Sequence, residues 1–167
     1  MSHWYFGLVV YDVTVPQTPA YLGRYARQAE APTGAAVAGL FGDRTLVFES
    51  SDGWGGHIRV LDVTDPAAIT AVSEVRRRNE VSVAGLQLTG NKLYVAAYQD
   101  GVRIYDVSTP SLPQQTAYFN TWDEARPGTG GSFRDGVFAV RPGGDGLVYA
   151  VDKPRGLLIL QEAPPLP

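Results

Sequence analysis

The sequence has 167 residues, of which 44% are hydrophobic and 19% are charged, and this length suffices for one globular domain with a core. The net charge of −3 argues against nucleic acid or an anionic membrane as the main partner, and no apolar run is long enough to span a bilayer. The chain has no cysteines, which excludes disulfides, thiolate metal sites and thiol catalysis.

The first six residues lack the basic and apolar segments of a signal peptide, and the chain enters a strand almost at once. This strand reads Gly-Leu-Val-Val-Tyr-Asp over 7–12 and is followed by a turn with a proline. Related segments occupy 57–66 and 101–110, and a weaker copy lies at 156–161. The segments recur at roughly 40–50 residues, which is the period of propeller blades.

The residues between these copies repeat a fixed order of short apolar strands and Gly-, Asn- or Asp-containing turns. After each copy comes a short outer strand, then a glycine-containing inner strand, a tight turn and a second strand that returns to the next copy. The predicted outer strands are 20–25, 70–75 and 116–119. The predicted inner strands are 33–40, 81–88 and 136–141, and the strands after the tight turn are 45–48, 93–97 and 147–151.

The copied strands carry apolar residues on both faces. In the third copy, Val102 and Ile104 point to one face, and Tyr105 and Val107 point to the other. Burial of both faces is typical of sheets stacked face to face. We therefore predict an all-β fold of stacked four-stranded antiparallel blades, a partial β-propeller of about 3–4 blades.

An aspartate follows the strand in the first three copies, at Asp12, Asp62 and Asp106. Its carboxylate can accept hydrogen bonds from the backbone N–H groups of the turn, and the proline that follows ends the strand. We interpret these three aspartates as structural turn residues.

The three copies and their prolines resemble the LVIVD repeat, and the last unit over 136–160 is similar to the C-terminal part of the choice-of-anchor B group of such proteins. The resemblance implies a β-propeller, mostly found in bacterial proteins that are secreted or attached to the cell surface. It implies no common catalytic residues and a location outside the cytoplasm.

The repeat pattern predicts one repeat domain over 1–167, with a partial blade near 1–29, blades near 30–79 and 80–125, and a partial blade near 132–167. An incomplete ring leaves sheet faces uncovered, which favours association. We expect the chain to be the C-terminal part of a longer propeller. The alternatives are a ring completed by a second copy and an open, curved stack.

Two irregular segments are candidates for ligand binding. The loop 52–56 carries Trp54, whose ring could serve as a stacking platform, although a glycine-rich turn with a packed Trp is the alternative. The second segment, 120–131, is the longest loop and leads directly into two further charged residues. Its candidate ligand-binding residues, with those two, are Trp122, Asp123, Glu124, Arg126, Arg134 and Asp135.

Catalytic and metal-binding signatures are absent from the sequence. Neighbouring carboxylates such as Asp123 and Glu124 rarely flank a substrate, and together with Asp135 they match no standard calcium loop. Of the two histidines, His57 is predicted to be an exposed loop residue, and the basic run 76–78 is interpreted as a solvated strand end. No phosphate-binding or serine-nucleophile motif is present, so no cofactor or metal is predicted.

These observations favour a non-catalytic binding or scaffold module that presents loops to a protein or glycan outside the cytoplasm. One alternative is a carboxylate-dependent hydrolase or lyase fragment of a larger propeller. Another is a structural unit that associates with itself through the open flanks of its end blades.

Overall fold

The computed structural model describes residues 1–26, 32–121, 132 and 134–163, and the regular secondary structure in this part of the chain is entirely β-strand. The strands form four antiparallel sheets, which we name I to IV in chain order. Sheet I contains β1 (Ser2–His3), β2 (Gly7–Asp12) and β3 (Ala20–Tyr25), and sheet II contains β4 (Thr33–Phe41), β5 (Arg44–Ser51), β6 (Ile58–Asp62) and β7 (Thr70–Val75). Sheet III contains β8 (Gly85–Thr89), β9 (Lys92–Ala96), β10 (Val102–Asp106) and β11 (Gln114–Phe119), and sheet IV contains β12 (Val137–Pro142), β13 (Leu147–Asp152) and β14 (Gly156–Gln161).

The strands of each sheet lie side by side in chain order, so the connections between them fall at two opposite ends. The turn end holds the connections β2–β3, β4–β5, β6–β7, β8–β9, β10–β11 and β12–β13. The loop end holds the connections β1–β2, β5–β6, β9–β10 and β13–β14, together with the segments that join one sheet to the next.

A β-bulge recurs where the copied strand pairs with the outer strand. It lies between Val60 and Leu61 in sheet II and between Ile104 and Tyr105 in sheet III, with the same irregularity in sheet I. A bulge leaves one residue of the partner strand unpaired and increases the local twist. The bulge therefore occurs at the same position in each of these three copies, and the apolar pattern of the sequence does not predict it.

The sheets stack face to face through three apolar clusters. Leu8 of sheet I packs with Val47 and Leu61 of sheet II. Between sheets II and III lies the largest cluster, which includes Phe48, Val60, Leu93 and Tyr105 among its members. The third cluster joins sheets III and IV and includes Val102, Ile104, Val148 and Ala150. The four sheets form a partial propeller-like arrangement that is not closed into a barrel, which confirms the predicted fold class.

At the turn end, the aspartate after each copied strand binds its own turn. The Thr14 N–H donates to Asp12 Oδ1 at 2.8 Å, and the Thr64 N–H donates to Asp62 Oδ1 at 3.0 Å. The same carboxylate oxygens also accept the hydroxyl groups of the two threonines. In sheet III, the Ser108 N–H donates to Asp106 Oδ1 at 2.7 Å. These side chains close local turns.

Two strands differ from the sequence-based prediction. The strand expected over 81–88 begins only at Gly85, because the hydroxyl of Ser82 accepts the Gly53 N–H at 2.9 Å and ties the preceding residues to sheet II. In sheet I, the two residues of β1 pair with β2 and add a strand that the sequence did not indicate. The remaining predicted strands are present, with shifts of a few residues at their ends.

Candidate functional site

The loop ends of neighbouring sheets are joined by backbone hydrogen bonds. The Thr33 N–H of sheet II donates to the Trp4 carbonyl of the β1–β2 loop at 3.0 Å. In the same way, the backbones of Tyr98 and Val137 bond each other in both directions at 2.9 and 3.0 Å, which joins sheets III and IV. These bonds place loops from all four sheets at one end of the stack.

Three of the predicted ligand-binding residues, Trp54, Arg134 and Asp135, lie at the loop end. The other four, Trp122, Asp123, Glu124 and Arg126, lie outside the described residues. The Trp54 side chain is 65% exposed in the β5–β6 loop. Asp135 precedes β12, where its Oδ2 accepts the Ser132 N–H at 3.0 Å and its Oδ1 lies 4.0 Å from Lys153 Nζ.

Four exposed aromatic side chains occur in the loops of sheets I and II, with exposed fractions between 54% and 84%. They are Trp4, Tyr5, Phe6 and Trp54. The first three form the β1–β2 loop, and Trp54 lies in the β5–β6 loop. The hydrogen bond from Thr33 to Trp4, together with the pairing of Thr33 with Ser51, makes these two loops neighbours. Sequence reasoning identified Trp54 alone, although three consecutive aromatic residues near the start of the chain were a readable signal.

Asp52, Tyr98 and Arg134 come together where sheets II, III and IV meet. The Tyr98 hydroxyl donates to Asp52 Oδ1 at 3.3 Å, and Arg134 Nε lies 3.5 Å from the same oxygen. Burial, together with the nearby Asp52 carboxylate, raises the pKa of Tyr98 to about 12. The phenol therefore remains protonated and acts as a hydrogen-bond donor, which makes it unsuited to the role of general base.

The backbone of Tyr98 is also unusual. Its φ is 47°, in the left-handed region, where a bulky side chain is uncommon. The two backbone bonds to Val137 and the turn bond from the Gly101 N–H to the Tyr98 carbonyl hold this conformation. Strained residues of this kind often occur at functional sites, which directs attention to the same part of the loop end.

Three arginines converge on the buried carboxylate of Asp100. Arg77 Nε donates to Asp100 Oδ2 at 2.6 Å, and Arg78 Nη2 donates to Oδ1 at 2.7 Å. Arg103 Nη2 lies 3.6 Å from Oδ1. Burial alone would raise the pKa of Asp100, but the three guanidinium groups outweigh burial and lower the pKa below its ordinary value.

The Asp100 cluster corrects one sequence-based interpretation. The side chain of Arg77 is only 17% exposed and also binds Tyr105 and Gln115, so the run 76–78 is not simply a solvated strand end. Arg76 and Arg78 do keep largely exposed side chains. The burial of Arg77 follows from the position of Asp100, which is distant in sequence and pairs with it only in the folded chain.

The prediction for His57 is wrong, because this residue is 5% exposed rather than an exposed loop residue. Its N–H donates to Ser51 Oγ at 3.0 Å, and its Nε2 lies 3.8 Å from Glu74. The loop over 52–56 folds back so that the Gly56 N–H bonds the Gly53 carbonyl, and this brings His57 into the sheet.

His57 is next to a row of charged residues across sheet II. Glu49, Arg59 and Glu74 are register partners on β5, β6 and β7. Arg59 lies 3.6 Å from Glu49 and 3.3 Å from Glu74, and both Glu49 and Arg59 are buried. The buried Arg59 lies between the two glutamates and offsets part of their charge, which points to a structural role.

Other signatures of function are limited in the described part of the chain. No three His, Asp or Glu residues there are grouped in a way that could hold a metal ion. The described residues also contain no helix with the length and hydrophobicity needed to cross a membrane.

The comparisons with known proteins identify no family for this chain. No protein-family model matches the sequence, and no curated protein matches it significantly. The resemblance to LVIVD repeats therefore remains a prediction from the residues that carry it.

Proposed function

We propose that this chain is a non-catalytic binding module of the propeller type, and that its loop end carries the ligand surface. The observation that supports this proposal is the group of exposed aromatic side chains in the adjoining loops of sheets I and II. Large exposed rings leave apolar area in contact with water, which is unfavourable. A ligand that covers the rings removes this area from water and thereby gains binding free energy. Among the described residues, the turn-end connections themselves carry no exposed aromatic side chain.

A glycan is the ligand class that best suits these rings. The apolar C–H face of a sugar ring can lie on an indole, while its hydroxyl groups bond nearby polar side chains. Trp4 and Trp54 provide indoles on neighbouring sheets, and their exposed fractions are 54% and 65%. A protein ligand that covers the same rings is the second outcome to be tested.

The polar residues at the loop end support binding rather than catalysis. Tyr98, with a pKa of about 12, remains a protonated donor. Asp100 is surrounded by arginines, and Asp135 accepts a backbone N–H. Carboxylates engaged in this way are poorly placed to act as a nucleophile or general base.

The LVIVD-like copies extend the proposal to fold family and location. On that resemblance, the four sheets belong to a propeller, and the protein works outside the cytoplasm, secreted or at the cell surface. The absence of cysteine is compatible with this location, since disulfides are common there but not obligatory.

A glycan array probed with the wild-type chain and with Trp54→Ala and Trp4→Ala tests the proposal. We expect the wild-type chain to bind a limited set of glycans, and each substitution to weaken binding about tenfold, as the loss of roughly 1.4 kcal/mol would require. Tyr21→Ala is the matched control, because Tyr21 is 58% exposed but belongs to β3 rather than to a loop-end connection.

The same variants distinguish the remaining outcomes. An isolated protein could bind the wild-type chain and Tyr21→Ala but not Trp54→Ala. The loop end would then still be the ligand surface, and the ligand would be a protein rather than a glycan. If neither ligand class binds and the chain turns over a small substrate instead, the binding-module proposal is wrong.

A further inference from the structure

The copied strands place equivalent residues in very different surroundings. The first and third apolar positions of the copy are Ile58 and Val60 in sheet II, and both are at most 1% exposed. In sheet III they are Val102 and Ile104, buried against sheet IV. The equivalent residues of sheet IV, Leu157 and Ile159, are 61% and 59% exposed. In sheet IV, therefore, the face that inner sheets use for packing is uncovered.

In sheet I, the exposed residue lies on the other face of the copied strand. The fourth position of the copy faces the preceding sheet, and it is buried as Leu61 in sheet II and as Tyr105 in sheet III. Its equivalent in sheet I is Tyr11, which is 40% exposed. In the described part of the chain, no sheet precedes sheet I. Sheet IV thus exposes the face that packs on a following sheet, and sheet I exposes the opposite face at Tyr11, while Val9 on that face is buried.

Each end sheet also borders a groove where it meets its neighbouring sheet. Between β11 and β14 lies a groove of about 580 Å³, lined by Ala117, Phe119, Leu160 and other residues. Among the described residues, the outer edge of β14 has no partner strand, whereas β6 and β10 pair there with β7 and β11. The second groove lies between sheets I and II and is lined by Leu8 and Val10 of sheet I and by Ala38 and Val47 of sheet II. It has a volume of about 560 Å³ and is mostly apolar. Open edges and apolar faces of this kind favour association.

We infer that the end faces bind a second copy of this chain, with sheet I of one copy packed on sheet IV of the other. This junction repeats the stacking that already joins sheets I to II, II to III and III to IV. A single copy supplies both sides of the junction, so one kind of partner covers both exposed faces. A chain that stays a single copy at micromolar concentration would instead favour cover of these faces by further blades of a longer propeller.

Two such junctions close a ring. Two copies contribute eight sheets, which is at the upper end of the roughly 4–8 blades of closed propellers. The junction is head-to-tail, because different faces of the two copies meet, and a two-fold arrangement forms it twice. The loop ends remain accessible in this assembly, so this inference is independent of the proposed ligand surface.

Light scattering coupled to size-exclusion chromatography measures the mass of the assembly. The chain has a mass of 18.0 kDa, and we expect the wild-type species to have about twice that mass at micromolar concentration. Ile159→Lys places a charge on the open face of sheet IV, and Tyr11→Lys does so on sheet I. We expect each variant alone to elute as a single copy.

Mixing the two variants tests the head-to-tail geometry. Each variant keeps one intact face, so an equimolar mixture should form a two-copy species through a single junction. Leu112→Lys is the control, because Leu112 is 64% exposed but lies in the β10–β11 turn. It should leave the wild-type mass unchanged. Circular dichroism should give identical spectra for all variants, since each replaces an exposed side chain.

Several results would overturn the inference. A wild-type chain that remains a single copy over the concentration range would exclude the junction. A two-copy species formed by Tyr11→Lys alone would mean that sheet IV packs on sheet IV. A mass that continues to rise with concentration would exclude the closed pair, and failure of the mixed variants to associate would exclude the head-to-tail contact.

Discussion

The turn end and the loop end belong to the same repeated sheets, yet they use their charged residues differently. At the turn end, Asp12, Asp62 and Asp106 each bind the residue two positions further along the chain. At the loop end, Asp52 and Asp100 bind side chains that come from other strands and connections. Local contacts are repeated from unit to unit because the sequence is repeated, whereas the long-range contacts are particular to each junction.

This difference also determines how much the charged residues of each end contribute to stability. The turn-end hydrogen bonds are exposed to water, so each contributes modestly to stability. At the loop end, the side chains of Arg77, Asp100 and Arg103 are largely withdrawn from water, so removing one of them leaves its partners without compensation. The mostly buried ion pairs of Asp100 lie at the loop end, and this is the end at which we propose ligand binding.

The largest expected effect comes from removing the carboxylate that three arginines share. Asp100→Asn should lower the free energy of unfolding by about 3–5 kcal/mol, because the mostly buried guanidinium groups of Arg77 and Arg103 lose their counter-charge. Urea denaturation at neutral pH measures the change.

The matched control is Asp43→Asn, the same chemical change in an exposed turn-end residue. It should alter the free energy of unfolding by less than about 0.5 kcal/mol. Equal effects of the two substitutions would contradict the distinction between the ends.

A pair of glycines gives a smaller but sharper comparison. Gly90 at the turn end has φ of 56° and open space around it, so Gly90→Ala should cost about 1–2 kcal/mol through backbone strain alone. Gly101 at the loop end has φ of 75°, and a Cβ there would collide with the Phe119 carbonyl. Gly101→Ala should therefore cost about 1–3 kcal/mol more.

Thermal and urea unfolding of the two alanine variants measure this difference. Equal destabilisation by Gly90→Ala and Gly101→Ala would show that close packing of the backbone around Gly101 adds nothing to the cost of the substitution.

The smallest expected effect concerns pH and the turn-end carboxylates. The hydroxyl and N–H of Thr64 lower the pKa of Asp62 from 3.8 to about 2. A lowered pKa in the folded state means that the ionised carboxylate stabilises the fold. This contribution is complete above about pH 4 and is lost as the pH falls towards 2. Solvent screening keeps its size to about 1 kcal/mol or less.

Urea unfolding between pH 6 and pH 2 tests this expectation with Asp62→Asn. The variant should be less stable than the wild type at pH 6, and the two should converge near pH 2. A difference that stays constant over this range would show that the ionisation of Asp62 does not contribute.

Much of the fold could be predicted because its signals are local. Short runs rich in apolar residues defined most strands, and glycine with Asn or Asp marked the tight turns. The outer strand β3 (Ala20–Tyr25) was placed at its observed bounds, and the stacking of sheets followed from the apolar residues on both faces of β10. The start of β8 could not be predicted, because Ser82 bonds to Gly53 in another sheet.

The candidate site could be predicted only in part. Trp54 was identifiable because a Trp between glycines suits an exposed loop. The burial of His57 could not be read from the same glycines, because it depends on how the loop folds back onto β5. The arrangement of Asp52 with Arg134 joins residues 82 positions apart, and no local pattern reports such a contact.

The sequence by itself determined the strands, the repeated turns and the stacking of like sheets, since each depends on a short apolar period or on a side chain that bonds its own turn. The tertiary structure alone decided which charges are buried together, as with Arg77 and Asp100, and which copies of the apolar strand remain exposed. These outcomes depend on what lies against each residue in space. Similar strand sequences are therefore buried in the middle of the stack and open to water at its ends.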